Sequence, residues 1–344
     1  MAQSPDDRRC IFIVGSSRSG TTMMGRILNR HPAVHTFHEL HFFEELWSPG
    51  SKGSGTSREE ALDVAAQLLY RERGGGYLAH GDPSDYRREA RAVLEAGPPL
   101  DNSTRLDVYR TVLFREAAEN DAPVPCEQTP RNGYYLGEIL ERFPGARVLH
   151  MVRDPRDVLL SQKRKWRRRF LGASNIPRTE AIRAWANYHP LTISQLWRAS
   201  VKAVAPYRDH PRVRTVAFEE MLDAPKATVR SVCEFVGIRF EEQMRSVRQV
   251  GSSHREDRPD QRGIDPSRSG NWRTDGLSDT EIFLCETVTA APMARYGYET
   301  NDSRPGPLML ALSALLFPVK LGAALLLNRS RMERIWDALR RRLR

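Results

Sequence analysis

Apolar residues along this chain fall into short unbroken runs, separated by longer segments in which they recur at helical spacing. The first run, Cys10–Val14 (CIFIV), is continuous and rich in β-branched and aromatic side chains, which suits a strand covered on both faces. Thr21–Arg30 then reads as a helix that Pro32 stops, Phe37–Trp47 as a second helix, and Ser48–Ser57 (SPGSKGSGTS) as a flexible loop. Helical spacing returns over 59–72, 84–96 and 104–119. Val124–Glu127 is a brief strand, and 132–142 a helix ended by Pro144-Gly145. Arg147–Val152 is the next strand, followed by a helix from Pro155, a residue suited to a first helical turn. Residues 178–205 are mostly helical, Arg212–Phe218 is a strand, and 225–236 is a helix closed by Gly237. Strand and helix in turn predict an α/β fold: a P-loop-like parallel β-sheet flanked by helices in three layers. Residues 248–277 are poor in apolar residues, and a loop of that length is usually functional or disordered.

Composition changes this picture little; charge distribution changes it more. The 344 residues are 40% hydrophobic and 28% charged, which excludes disorder, collagen and a disulfide-stapled miniprotein. The formal charge of +10 is concentrated in two places. Residues 151–170 hold eight basic and two acidic side chains, and residues 305–344 hold the same numbers, leaving the rest of the chain near neutral. Cys10, Cys126, Cys233 and Cys285 form no C-x-x-C pair and sit in apolar stretches, as reduced core cysteines of a cytoplasmic protein do. The polar start, MAQSPDDRRC, lacks the apolar region of a signal peptide.

The richest segment is Ile11–Met24, IFIVGSSRSGTTMM. A buried strand runs into Gly15-Ser-Ser-Arg-Ser-Gly20-Thr-Thr, and a helix begins there. Backbone N–H groups of such a loop, aided by the helix N-terminus, cradle phosphate-like oxyanions. Gly15 and Gly20 have the spacing of a Walker A loop, but Thr21 occupies the lysine position and Arg18 is the loop's cation. A nucleoside-triphosphate kinase would lack the lysine that reaches its terminal phosphates.

In these residues the chain resembles the sulfotransferases that use 3′-phosphoadenosine 5′-phosphosulfate (PAPS), most closely the branch with an R-S-G-T-T loop that includes tyrosylprotein sulfotransferases and bacterial enzymes. The resemblance runs from about residue 11 to residue 298 and includes His31-Pro32. It implies that Ser17, Arg18, Ser19, Gly20, Thr21 and Thr22 hold the 5′-phosphosulfate. It also implies that Arg153 and Ser161, in HMVRDPRDVLLSQ, bind the 3′-phosphate. A strand-terminal guanidinium and a helix-borne hydroxyl suit that task chemically.

Sulfuryl transfer to an alcohol requires a base at the acceptor hydroxyl. The family's count from Arg18 lands on Glu39, with His35, His38 and His41 as rivals. His38 and His41 could suggest a metal pair, but no H-E-x-x-H pattern or nearby cysteine supports one, and no metal is expected. Relatives often read E-K-T-P where this chain has Glu127-Gln128-Thr129-Pro130, so Gln128 can offer the leaving group a hydrogen bond but no charge. Arg18 or Arg131 would then carry that task. Trp272 and Arg273, in Ser269-Gly270-Asn271-Trp272-Arg273, resemble the late motif that closes over the nucleotide, where they would stack on adenine and clamp phosphate.

The implied activity is in-line transfer of a sulfuryl group from PAPS to a hydroxyl acceptor, leaving adenosine 3′,5′-bisphosphate. A P-loop kinase-like phosphotransferase and a non-catalytic, membrane-associated phosphate-binding protein are the alternatives. Nucleic acid is not an expected partner, because the run Lys163–Arg169 (KRKWRRR) comes with no known fold signature for nucleic acid.

Residues 1–304 read as the sulfotransferase domain and 305–344 as an appended tail. Leu308–Leu327 is apolar but interrupted by Pro318, Lys320 and Gly322. A stripe at Met332, Ile335, Trp336, Leu339 and Leu343 follows, opposite arginines. That pattern suits a basic anchor lying in the plane of the inner membrane face better than a span. Packing on the domain, or on a second copy in a homodimer, is the alternative.

Overall fold

In the computed structural model, residues 8–48, 55–74, 81–97, 103–251, 253, 256–274, 276–301 and 303–328 are described. The elements run β1 (Cys10–Gly15), α1 (Thr21–Leu28), β2 (Val34–Thr36), α2 (Arg58–Gly74), α3 (Arg87–Glu95), α4 (Arg105–Glu119), β3 (Val124–Glu127) and α5 (Leu136–Arg142). There follow β4 (Ala146–Val152), α6 (Pro155–Lys163), α7 (Arg178–Ala186), α8 (Pro190–Val204), β5 (Val213–Ala217), α9 (Phe218–Asp223) and α10 (Pro225–Val236). The chain continues through β6 (Arg248–Gln249), β7 (Arg258–Arg262), α11 (Asp279–Arg295) and α12 (Pro307–Asn328).

Five strands form one parallel sheet in the order β2-β3-β1-β4-β5. All six residues of β1 are buried, and its side chains divide by alternation. Cys10, Phe12 and Val14 join a core built with α2, α3, α4 and α5, while Ile11 and Ile13 join a second core with Met24, Ile27 and Leu28 of α1 and Val229, Val232 and Val236 of α10. Helices thus cover both faces, which is why the strand reads as an unbroken apolar run. Burying a side chain such as Phe12 contributes about 1.5–3 kcal/mol.

Strand order sets the site. From β1 the chain crosses to β2 and β3 on one side, then returns to place β4 on the other. The loops leaving the C-terminal ends of β1 and β4 therefore diverge, and a crevice opens between them, where ligands of open α/β sheets bind.

Several elements depart from the sequence pattern. The helix expected over Phe37–Trp47 is a single π-helical turn, Phe42–Leu46, preceded by irregular chain. Phe37, Leu40, Phe42 and Phe43 are all buried there, and His41 holds φ 50°, which an uninterrupted helix cannot accommodate. β2 was not anticipated, since three residues carry too short a pattern. The helix at 84–96 begins as a 3₁₀ turn, Pro83–Tyr86, and that at 132–142 as another, Pro130–Tyr135. The loop 248–277 contains the antiparallel pair β6-β7. Part of the loop expected at Ser48–Ser57, and the stripe from Met332 to Leu343, lie outside the described residues.

Candidate active site

The loop after β1 is shaped by two glycines. Gly15 sits at φ 150° against the carbonyl oxygen of Met151, and Gly20 at φ 94° against the ring of Phe218, so a Cβ at either position would collide. Between them Arg18 takes φ 75°, a left-handed conformation uncommon for a residue with a side chain. That turn carries its guanidinium across to the arm after β4. Arg18 Nε donates to Ser161 Oγ (2.9 Å), and Nη2 donates to Gly251 O and Ser253 Oγ (both 3.0 Å). Burial, then the charges of Arg168, Arg153 and Arg268, pull its pKa down to about 9, against a small opposing pull from Glu39. It remains charged at neutral pH in a field of like charges, and an anion is what relieves such a field.

Arg153 leaves the end of β4 and is 8% exposed. Its Nη1 donates to Arg18 O (3.2 Å) and its Nη2 to Arg268 O (2.6 Å), while the guanidinium lies 4.5 Å from the Phe218 ring centre. Trp197 Nε1 holds the Arg153 carbonyl at 3.0 Å, fixing the backbone from α8. Three residues on, Arg156 donates to both carboxylate oxygens of Asp154 and also reaches Glu286, so this second arginine of the RDPR turn belongs to a buried ion network. Ser161, in the last turn of α6, is 2% exposed and faces Arg18.

Glu39 lines the same cleft. Its segment is held by the end of β3: Leu40 N donates to the buried Glu127 carboxylate (3.3 Å), and His41 N donates to Thr129 Oγ1 (3.2 Å). Glu127 also accepts from Thr129 and Asn132; burial pushes its pKa up to about 7, against those hydrogen bonds. Behind Glu39 the charges alternate. His41 Nε2 lies 3.3 Å from Glu39, His41 Nδ1 lies 3.4 Å from Glu44, and Glu44 pairs with Arg131 at 2.5 Å. Burial opposes a charge on His41, but the two carboxylates outweigh it and raise its pKa. Burial would likewise raise Glu39; His41, Lys165 and Arg131 reverse that and hold its carboxyl below the usual range. His41, Glu44 and Glu45 gather potential metal-ligand atoms within 4.8 Å of one another, yet Glu44 is already paired with Arg131 and Glu45 with Arg71.

Residues 10–242 match the sequence profile of the Sulfotransferase family, well over half of the chain. The chain belongs to the sulfotransferase family. Human carbohydrate sulfotransferase 5 is 23% identical across 90% of this chain and 82% of its own length. An uncharacterized protein of Aquifex aeolicus (strain VF5) is 28% identical over 155 residues, which are 45% of this chain and only 17% of that relative. The sulfotransferase domain of the Synechococcus PCC 7002 olefin synthase superposes with a TM-score of 0.51 at 20% identity, covering 88% of this chain and all of that domain. The last comparison shows a shared fold.

Of the residues expected at this sulfotransferase's site, Ser17, Arg18, Gly20, Thr21, Thr22, Glu39, Arg153 and Ser161 line one cleft. Ser19, Gln128, Trp272 and Arg273 do not. The Ser19 side chain is fully buried and its N–H closes the turn onto Ser16 O (3.1 Å). Gln128 turns its amide oxygen toward Gly25 of α1 and Thr36, where only a glycine leaves room. Trp272 is buried with Leu160 and Ile282, its ring 3.8 Å from the Arg156 guanidinium, and Arg273 packs on the same ring at 4.4 Å. Asp157 accepts from Gly270 N (2.7 Å) and Trp272 N (3.1 Å) and pins that turn, with the Trp272 ring packed inward.

Arg26, Arg168, Ser253 and Arg268 line the cleft and were not singled out. Arg168 comes from the KRKWRRR run; Lys165 of the same run is exposed and off the cleft lining, though local desolvation and then Arg18 pull its pKa down to about 8. The run's charge density was visible; which of its members turns inward depends on the 3₁₀ segment Lys165–Phe170.

Proposed function

We propose that this chain transfers the sulfuryl group of PAPS to an acceptor hydroxyl, releasing adenosine 3′,5′-bisphosphate. The observation that carries the reading is the Arg18–Ser161 hydrogen bond. It joins the loop after β1, which suits a 5′-phosphosulfate, to the arm after β4, which suits a 3′-phosphate, in one cation-lined crevice. A donor with anionic groups at both ends of a nucleoside matches that pair of subsites. An NTP kinase would need a lysine at the position of Thr21.

In this reading Glu39 accepts the acceptor's proton as the hydroxyl oxygen attacks sulfur. Arg18 and the N–H groups opening α1 meet the charge that builds on the departing phosphate. The reaction asks mainly for positioning and charge stabilisation, as loose phosphoryl transfers do. His41 keeps Glu39 ionised and oriented. Arg168 supplies the cationic charge that Gln128 does not. The test is transfer from labelled PAPS to a panel of sugar, lipid, peptide and phenolic hydroxyls, alongside calorimetric binding of adenosine 3′,5′-bisphosphate. Binding of the bisphosphate in clear preference to ATP supports the donor assignment; preference for ATP with magnesium dependence would overturn it.

A further inference from the structure

We propose that α12 and the neighbouring outward face of α7 form a surface that rests in the plane of an anionic lipid bilayer. The helix has 22 residues, about 33 Å of length, with a mean hydropathy of 2.1 over its most apolar window, and none of that window is buried. Its two sides differ. One stripe is fastened to the start of α8 and the residues before it. His189 Nε2 donates to Ser313 O (3.3 Å), the His189 and Phe317 rings lie 5.0 Å apart, Lys320 Nζ donates to Trp185 O (3.3 Å), Arg183 Nε donates to Leu327 O (3.0 Å), and Asn328 donates to Asn187 (2.8 Å). The opposite stripe points outward. Leu308, Leu315, Val319 and Leu326 are 67–79% exposed.

Three features select a bilayer lying against the helix. A spanning helix would carry Arg183, Asn187 and His189, bonded along its flank, into hydrocarbon, where polar groups are costly. An in-plane helix leaves them in the headgroup region. Trp185 and Ile182, both 57% exposed, extend the apolar surface, and the Lys320 ammonium lies 3.3 Å from the Trp185 ring centre, a pairing suited to the bilayer interface. Finally, residues 329–344 carry seven arginines against Glu333 and Asp337. That excess attracts anionic headgroups at about 1 kcal/mol per basic residue. The inference is independent of the reaction proposed above.

The test is flotation of the full chain with vesicles of phosphatidylcholine alone and of phosphatidylcholine mixed with phosphatidylglycerol. The wild-type chain is expected to float with the mixed vesicles and to be released by alkaline carbonate. Leu315→Glu with Val319→Glu should weaken vesicle binding about tenfold or more, while adenosine 3′,5′-bisphosphate binding and the melting profile stay unchanged. Leu308→Gln with Leu326→Gln, at the two ends of the stripe, decides the matter if the first pair does not fold. Equal flotation of wild type and a folded variant overturns the proposal. So does resistance to carbonate, which would mean a span, and so does a wild-type dimer that ignores vesicles and dissociates in the variant.

Discussion

The two ends of the cleft handle charge in opposite ways. At the donor end Arg18, Arg153, Arg168 and Arg268 converge, and Arg18 loses basicity to burial and to its neighbours. At the acceptor end Glu39, His41, Glu44 and Arg131 alternate in sign, each charge answered by the next. A surplus of one sign, held in place by backbone carbonyls and hydroxyls, is an arrangement completed by a ligand of the other sign. An alternating chain is already complete, and what it supplies is a carboxylate fixed in position and protonation state. In the function proposed above, the first end binds the donor and the second reacts.

Substitutions should separate the two. Glu39→Gln is expected to lower kcat by about 10²–10⁴-fold, the usual contribution of a positioned base, with adenosine 3′,5′-bisphosphate affinity unchanged by calorimetry. A parallel loss of affinity would break the distinction between the ends. Arg18→Ala should cost about 10²–10³-fold in turnover, as loss of a charge-stabilising donor does, and should weaken bisphosphate binding as well. Arg153→Ala acts on the donor end alone: losing its charge-assisted hydrogen bonds should weaken the bisphosphate by about 1.5–3 kcal/mol, read by calorimetry, with a smaller effect on kcat at saturating donor.

His41→Gln sharpens the comparison through pH. As the proposed base, Glu39 must be ionised to take a proton, so that reading predicts that activity falls as pH drops through its pKa. His41 holds that pKa below the ordinary carboxylate value. Without the imidazolium the acid limb of the kcat/KM profile should move to higher pH, while bisphosphate binding at neutral pH stays as it was. The smallest effect belongs to Gln128→Ala. Its amide faces Gly25 and lies off the cleft lining, so kcat should change little; a large fall would return the residue to the leaving group.

How much of this was legible before the structure follows from the range of each interaction. β1, its glycine loop and α1 are local, and the run CIFIV followed by Gly15 and Gly20 carries them. Arg153 and Ser161 are likewise fixed by a strand end and one helix. The direction in which Trp272 turns was not legible, because an Arg- and Gly-rich loop has no periodicity to set it; Asp157, 115 positions away in sequence, pins the turn through its bond to the Trp272 N–H. The segment from Phe37 to Trp47 misled for a related reason. Its apolar residues sit at near-helical spacing, but the hydrogen bonds of Leu40 and His41 go to Glu127 and Thr129 on another strand. Tertiary bonds of this kind leave no periodic trace.

The convergence of guanidiniums has a consequence at the bench. A crevice lined by Arg18, Arg153, Arg168 and Arg268 accepts small oxyanions as readily as parts of a nucleotide, so phosphate and sulfate buffers should act as competitors. Assays run in such buffers will understate donor affinity. Thermal-shift screens will rank those salts as stabilisers, since whatever binds only the folded chain raises its melting temperature. The choice of counter-ion during purification will therefore decide how active the preparation looks.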